Sequence, residues 1–154
     1  MFTFPNSPIK CAGAPQKIMY IAEESFRERG IKADIEFRSS LGVLFGVKKY
    51  ADALWEVVKG RNINVHLRQN LIEIKPDTKE AVFENLDNGE KTTVNYDMIH
   101  ITPAMETPDC LSKSDNPDLV DVGGFLMVNK ETLQHTKYVI QGVPNQKLLK
   151  SQSK

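Results

Sequence analysis

Long apolar runs are missing from this chain of 154 residues: none approaches the roughly 20 residues of a membrane-spanning helix. Net charge is missing too. Lysine plus arginine and aspartate plus glutamate stand at 20 each, so no bulk field draws the chain to nucleic acid or to an anionic membrane. Two cysteines, Cys11 and Cys110, are too few and too far apart for a secreted disulfide framework. No secretory signal or basic presequence is expected, since Met1 leads straight into an extended run. His66, His100 and His135 make no metal-ligand spacing with either cysteine and read as strand or surface residues. No Ser-His-Asp order, carboxylate pair or internal repeat stands out. What remains is 40% hydrophobic and 26% charged, ordinary for one globular domain with a real core. The expectation is a soluble α/β protein of a reducing compartment.

The first half carries a clear hydrophobic rhythm. Phe2-Thr3-Phe4-Pro5 is a short extended run. Ile18, Ile21, Ala22 and Phe26 then recur at helical spacing, with Glu23, Glu24, Arg27 and Glu28 expected on the outer face. Pro15 fits the first turn of that helix, and Gly30 fits the left-handed residue just past its end. Asp34-Ile35-Glu36-Phe37 reads as a strand ending at Ser39-Ser40. A second helix carries Val47, Tyr50, Ala51, Leu54, Val57 and Val58 as one stripe stopped by Gly60, with Trp55 in core spacing. Ile63-Asn64-Val65-His66 is the next strand. This βαβαβ order is the pattern of a parallel, nucleotide-binding-like (Rossmann-type) sheet.

The second half changes to strand alternation over residues 71–74, 81–86 and 92–96, an antiparallel hairpin or meander with Asn88-Gly89 as a turn. Met98-Ile99-His100-Ile101 is a buried-strand candidate. A stretch rich in proline and aspartate, 103–117, breaks the pattern, and Gly123 to Val128 reads as one more strand. No acidic residue follows Glu131, and 139–154 reads as a frayed polar tail.

The most informative segment is Lys10-Cys11-Ala12-Gly13-Ala14-Pro15-Gln16-Lys17. It places a thiol in the turn between the first strand and the first helix, where nucleotide-type folds put their chemistry. A helix N-terminus and flanking lysines, Lys10 and Lys17, favour a thiolate over a thiol, the condition for a reactive cysteine. The alternative for Cys11 is a small buried hydrophobe. A dinucleotide site would need G-x-G-x-x-G in this turn, yet it holds one glycine; Gly42 and Gly46 come after the second strand at the wrong spacing. Cys110, beside Pro108-Asp109, has no such context. Lys48-Lys49 reads as a solvated face.

These segments resemble the mitochondrial, animal-type sulfide:quinone oxidoreductase family. The likeness lies in Phe2 to Pro5, Lys10 to Tyr20, Phe45 to Leu54, Glu80 to Asp87 and Val128 to His135, and is spread over residues 2–138. The resemblance implies the second domain of a two-dinucleotide-domain flavoprotein. It implies oxidation of hydrogen sulfide with electrons passing through FAD to ubiquinone, and sulfane sulfur handed to a small acceptor such as glutathione or sulfite. Cys11 matches the family's persulfide-forming cysteine, and Lys10 and Lys17 would support its thiolate; no metal is implied. On this resemblance residues 1–103 form an NAD-like second domain of flavoprotein disulfide-reductase type. Residues 104–138 begin a return segment to an FAD domain, and 139–154 form the tail. The family's FAD fingerprint, its second redox cysteine and its membrane-binding segment match nothing here, which leads to the expectation of a truncated or spliced piece that does not hold FAD stably. The family location is the mitochondrial inner membrane, with membrane association expected only for the full-length form; no nucleic acid is a partner. Two function classes stay open: part of a sulfide-oxidising enzyme, expected to be inactive on its own, or a non-catalytic domain with a reactive thiol that carries persulfide or contacts other subunits. A third, a plain nucleotide-binding module, is opposed by the missing glycine fingerprint.

Overall fold

The structure is a computed structural model that describes residues 1–138. The tail expectation for 139–154 lies outside the described residues. The chain divides into two compact units: one is Met1–Asn6 with Cys11–Ala104, the other is Ser7–Lys10 with the chain from Met105 onward.

The first unit holds a parallel sheet of β1 (Phe2–Phe4), β2 (Glu36–Ser39) and β3 (Asn64–His66), in the order β1-β2-β3. Phe2 pairs with Phe37, and Phe37 with Val65. Helix α1 (Ala14–Glu28) links β1 to β2, and α2 (Lys48–Gly60) links β2 to β3. Parallel strands covered on both faces read as continuous burial rather than alternation. Accordingly Phe2, Thr3 and Phe4 are all buried, as are Phe37, Arg38 and Ser39. Met19 from α1, Val58 from α2 and Leu44 from the intervening loop close the core. This is the α/β fold class expected, with the meander added.

Both helices end the same way. Ile31 N–H donates to the Phe26 carbonyl at 2.9 Å, and Ile63 N–H to the Val58 carbonyl at 2.9 Å. Each closure needs a left-handed residue just before the donor, filled by Gly30 (φ 67°) and by Asn62 (φ 52°). Gly30 is where the sequence placed it. Gly60 is not the stop: it is still helical, and Asn62 turns the chain two residues later.

The helix faces differ from the periodicity reading. On α1 the buried residues are Pro15, Gln16, Met19 and Glu23, while Ile21 is exposed. On α2 only Ala51 and Val58 are buried; Tyr50, Val47 and Val57 are exposed and Trp55 is half-buried. Glu23 therefore points inward, against the expectation. The reason is a partner 38 residues on: Arg61 donates to its carboxylate at 2.6 Å.

The antiparallel meander, β4 (Gln69–Lys75), β5 (Glu80–Asn85) and β6 (Lys91–Asn95), has β5 in the middle. Ala81, Val82 and Phe83 of β5 are buried, and the Arg38 guanidinium lies 5.0 Å from the Phe83 ring centre. A register shift between Leu71 and Glu73 bulges Ile72 out to solvent. The run 98–101 then returns beside β1: Thr3 N–H donates to the His100 carbonyl and His100 N–H to the Met1 carbonyl. It is a single bridge on an edge, with Met98 and Ile101 exposed, not the buried strand expected.

In the second unit, 120–128 and 135 form two isolated antiparallel bridges rather than a strand. Leu126, Val128, His135 and Thr107 are its buried residues. Cys110 lies in the short helix α3 (Asp109–Ser112).

Candidate functional site

Cys11 sits beyond the C-terminal end of β1, in the turn that starts α1. Its carbonyl accepts the Ala14 N–H at 3.2 Å, and Gly13, the N-cap residue, accepts the Lys17 N–H at 3.0 Å. Gly13 has no side chain with which to cap the first amides, so these point outward from a helix start with its positive dipole end. Pro15, buried in the first turn, fixes the path of the chain there. Cys11 is exposed, which sets aside the alternative of a small buried hydrophobe. Lys17 is exposed on the first turn of the same helix. Lys10, next in sequence, is counted with the second unit, where its N–H faces the Met105 sulfur at 3.2 Å. Cys110 is exposed as well, so exposure alone does not separate the two thiols.

The loop between β2 and α2, residues 40–47, forms the wall beside this turn. Ser40 donates its hydroxyl to the Pro5 carbonyl at 2.7 Å and its N–H to the Phe4 carbonyl at 3.3 Å. Gln16, buried in the first turn of α1, donates its amide to the Leu44 carbonyl and accepts the Tyr20 hydroxyl at 3.1 Å. The Phe45 ring packs over Gly13, so that a Cβ there would lie 3.9 Å from it, and meets Tyr50 edge-on at 6.3 Å. Arg68, just past β3, holds the base of this wall. Gln16, Ser40, Phe45 and Arg68 carry no motif in the sequence; only their places just past strand ends or in a first helical turn point to them.

A flavin or nicotinamide dinucleotide would need its pyrophosphate cradled by bare backbone at such a turn. The Phe45 ring lies at ordinary contact distance from a Cβ placed on Gly13, and Gly13 is the turn's single glycine. The buried side-chain polar atoms left unpaired among the described residues are His100 Nδ1 and Thr107 Oγ1, neither of them in this turn. The described residues therefore do not fit a dinucleotide here.

The remaining ionisable groups brace the fold. Glu23 bridges Arg61 at 2.6 Å and Arg27 at 3.5 Å, tying α1 to the end of α2. Burial pushes the Tyr20 phenol up, against the pull of Arg61. His66, on β3, lies opposite Arg38 in register and 3.9 Å from Glu36. Burial first and Arg38 second lower its pKa, with Glu36 opposing. His135 is buried: its ring accepts the N–H groups of Lys137 and Tyr138 and faces the Leu119 carbonyl at 2.9 Å. No group of three or more metal-ligating side chains is gathered among the described residues.

No protein-family model matches the chain. A curated mitochondrial sulfide:quinone oxidoreductase of Mus musculus is 54% identical over 141 residues, which is 90% of this chain. One from Dictyostelium discoideum is 44% identical over 140 residues. Over 90% of its own length the chain is thus similar to curated sulfide:quinone oxidoreductases. It spans 31% of the mouse protein and 30% of the Dictyostelium one, about a third of their length. In three dimensions it superposes on the sulfide:quinone oxidoreductase of Aquifex aeolicus with a TM-score of 0.76, 19% identity, and cover of 89% of this chain and 32% of that one. At that identity the superposition speaks for a shared fold.

Proposed function

We propose that this chain supplies the persulfide-forming thiol of a sulfide:quinone oxidoreductase, with Cys11 as the sulfur carrier. The observation that carries this is the 54% identity over 141 residues, 90% of the chain. In the overall reaction one hydrosulfide and the Cys11 thiolate form a sulfur–sulfur bond. Two electrons pass to a quinone, which with the proton released and one from solvent becomes the quinol. Cys11 is left as a persulfide anion, whose outer sulfur a small thiol or sulfite then removes. Lys17 on the first helical turn and Lys10 beside Cys11 in the chain would stabilise the anionic sulfur, with the helix start adding its dipole. We infer that residues 1–103 act as the nicotinamide-type second domain of such a flavoprotein and that 104–138 lead back toward a flavin domain. FAD belongs to this reading through the family; no step is assigned to it, because the thiol turn lacks the glycine cradle of a dinucleotide site. The relatives' names favour a mitochondrial site of action, and we place it at the inner membrane. Among the described residues no helix is long and apolar enough to cross a membrane.

A second reading is favoured by the single glycine of the thiol turn, which builds no dinucleotide cradle: a thiol domain without sulfide oxidation of its own. Here the Cys11 thiolate attacks the outer sulfur of a small persulfide, the sulfur–sulfur bond breaks, and the donor leaves as its thiolate. The purified chain separates the two when mixed with sulfide and a soluble ubiquinone analogue. Consumption of the quinone that Cys11→Ser abolishes supports the oxidase; persulfide on Cys11 from a persulfide donor, with the quinone untouched, supports the carrier.

A further inference from the structure

We propose that Arg68 is the positioning residue of the thiol site, acting through the 40–47 loop. Three observations carry the idea. First, Arg68 stands at φ 60°, a left-handed conformation that is unfavourable for a residue with a side chain and that glycine would adopt freely. At this position the side chain supplies interactions that offset that cost. Second, that side chain reaches three separate acceptors. Its Nε donates to Asp87 at 2.8 Å, one terminal nitrogen to the Ser40 carbonyl at 3.3 Å, and the other to the Leu86 carbonyl at 3.3 Å. The backbone adds two bonds, from Arg68 N–H to the Leu41 carbonyl at 3.0 Å and from Leu86 N–H to the Arg68 carbonyl at 2.8 Å. Gly42 packs so closely that a Cβ there would come within 3.3 Å of Arg68 Cδ.

Third, the loop so held is the one that walls the thiol turn. It has no strand ladder or helix of its own, and Ser40 at its base touches Pro5 while Leu44 and Phe45 at its far end touch Gln16 and Gly13. Arg68 thus pins the loop to the meander, and the loop holds both ends of the segment that carries Cys11. A planar fork with donors in three directions does this; a point-charge ammonium reaches fewer acceptors.

The inference rests on Cys11 being the reactive thiol, and Cys110, also exposed, is the internal reference. The ratio of Cys11 to Cys110 alkylation by iodoacetamide at neutral pH is followed by peptide mass spectrometry on the full chain. In the wild type Cys11 reacts faster. Arg68→Gly, which relieves the backbone while deleting the guanidinium, lowers the ratio by roughly fivefold, the scale of one lost hydrogen-bonded brace. Ser40→Ala, which cuts the link to Pro5, lowers it too, and the double variant adds little to either. Arg68→Lys recovers part of it. A wild-type ratio near one would remove the thiol reading itself. A high wild-type ratio unchanged in Arg68→Gly and Ser40→Ala, with only thermal stability reduced, would overturn the positioning role and leave the thiol reading standing.

Discussion

Glu23 and His66 both take their surroundings from residues distant in the chain. Glu23, 8% exposed, accepts from the part-buried Arg61 guanidinium, so Glu23→Gln leaves that contact half-made. That change is expected to cost about 1–2 kcal/mol, or roughly 3–6 °C in Tm by thermal denaturation; no change would mean the pair is a surface ornament. His66 is held below its ordinary pKa by burial and by Arg38. A lowered folded pKa means the unfolded chain takes up the proton first. Stability is therefore complete above the unfolded value near 6.5 and declines as pH falls through it. His66→Asn should flatten denaturant stability between about pH 7 and pH 5; an unchanged slope would assign the acid sensitivity elsewhere. The position of Cys11 in a strand-to-helix turn was legible from residues 2–18 alone, because a short extended run, one glycine and a proline at a helix start are local signals. Glu23's inward side was not, since its partner lies 38 residues away. Neither was Arg68, whose left-handed backbone leaves no mark in residue type.

At the scale of elements, the helices were legible in extent more than in orientation. The periodicity of α2 located the helix but overstated its buried stripe: Ala51 and Val58 are inside, while Val47, Tyr50 and Val57 stay exposed. An apolar repeat says that one face is sticky, not which neighbour covers it. Edge status was equally invisible for 98–101, whose four apolar-to-polar residues look the same in the centre of a sheet or at its margin. The two helix stops give a paired test. Nothing lies within 4 Å of a Cβ placed on Gly30, so Gly30→Ala carries only the backbone cost of its positive φ, about 1 kcal/mol. Asn62→Gly, at the equivalent place after α2, should stabilise by a few tenths to about 1 kcal/mol. Denaturant midpoints moving in opposite directions for the two variants would support the shared closure; equal signs would contradict it.

For the molecule as a whole, the parallel sheet with an appended meander places two loops side by side at the strand ends. One holds an exposed thiol before a helix start, and the other carries the phenylalanine that packs over Gly13. On the proposed reading, this turn serves sulfur rather than pyrophosphate. Its relatives share this third of their length, and the chemistry proposed follows from the one thiol both loops frame. The direct test is to give the chain a small persulfide donor and weigh the tryptic peptides. The account predicts one added sulfur on the peptide that begins at Cys11 and none on the one carrying Cys110, although both thiols are exposed. Equal labelling of the two, or labelling of Cys110 alone, would contradict it.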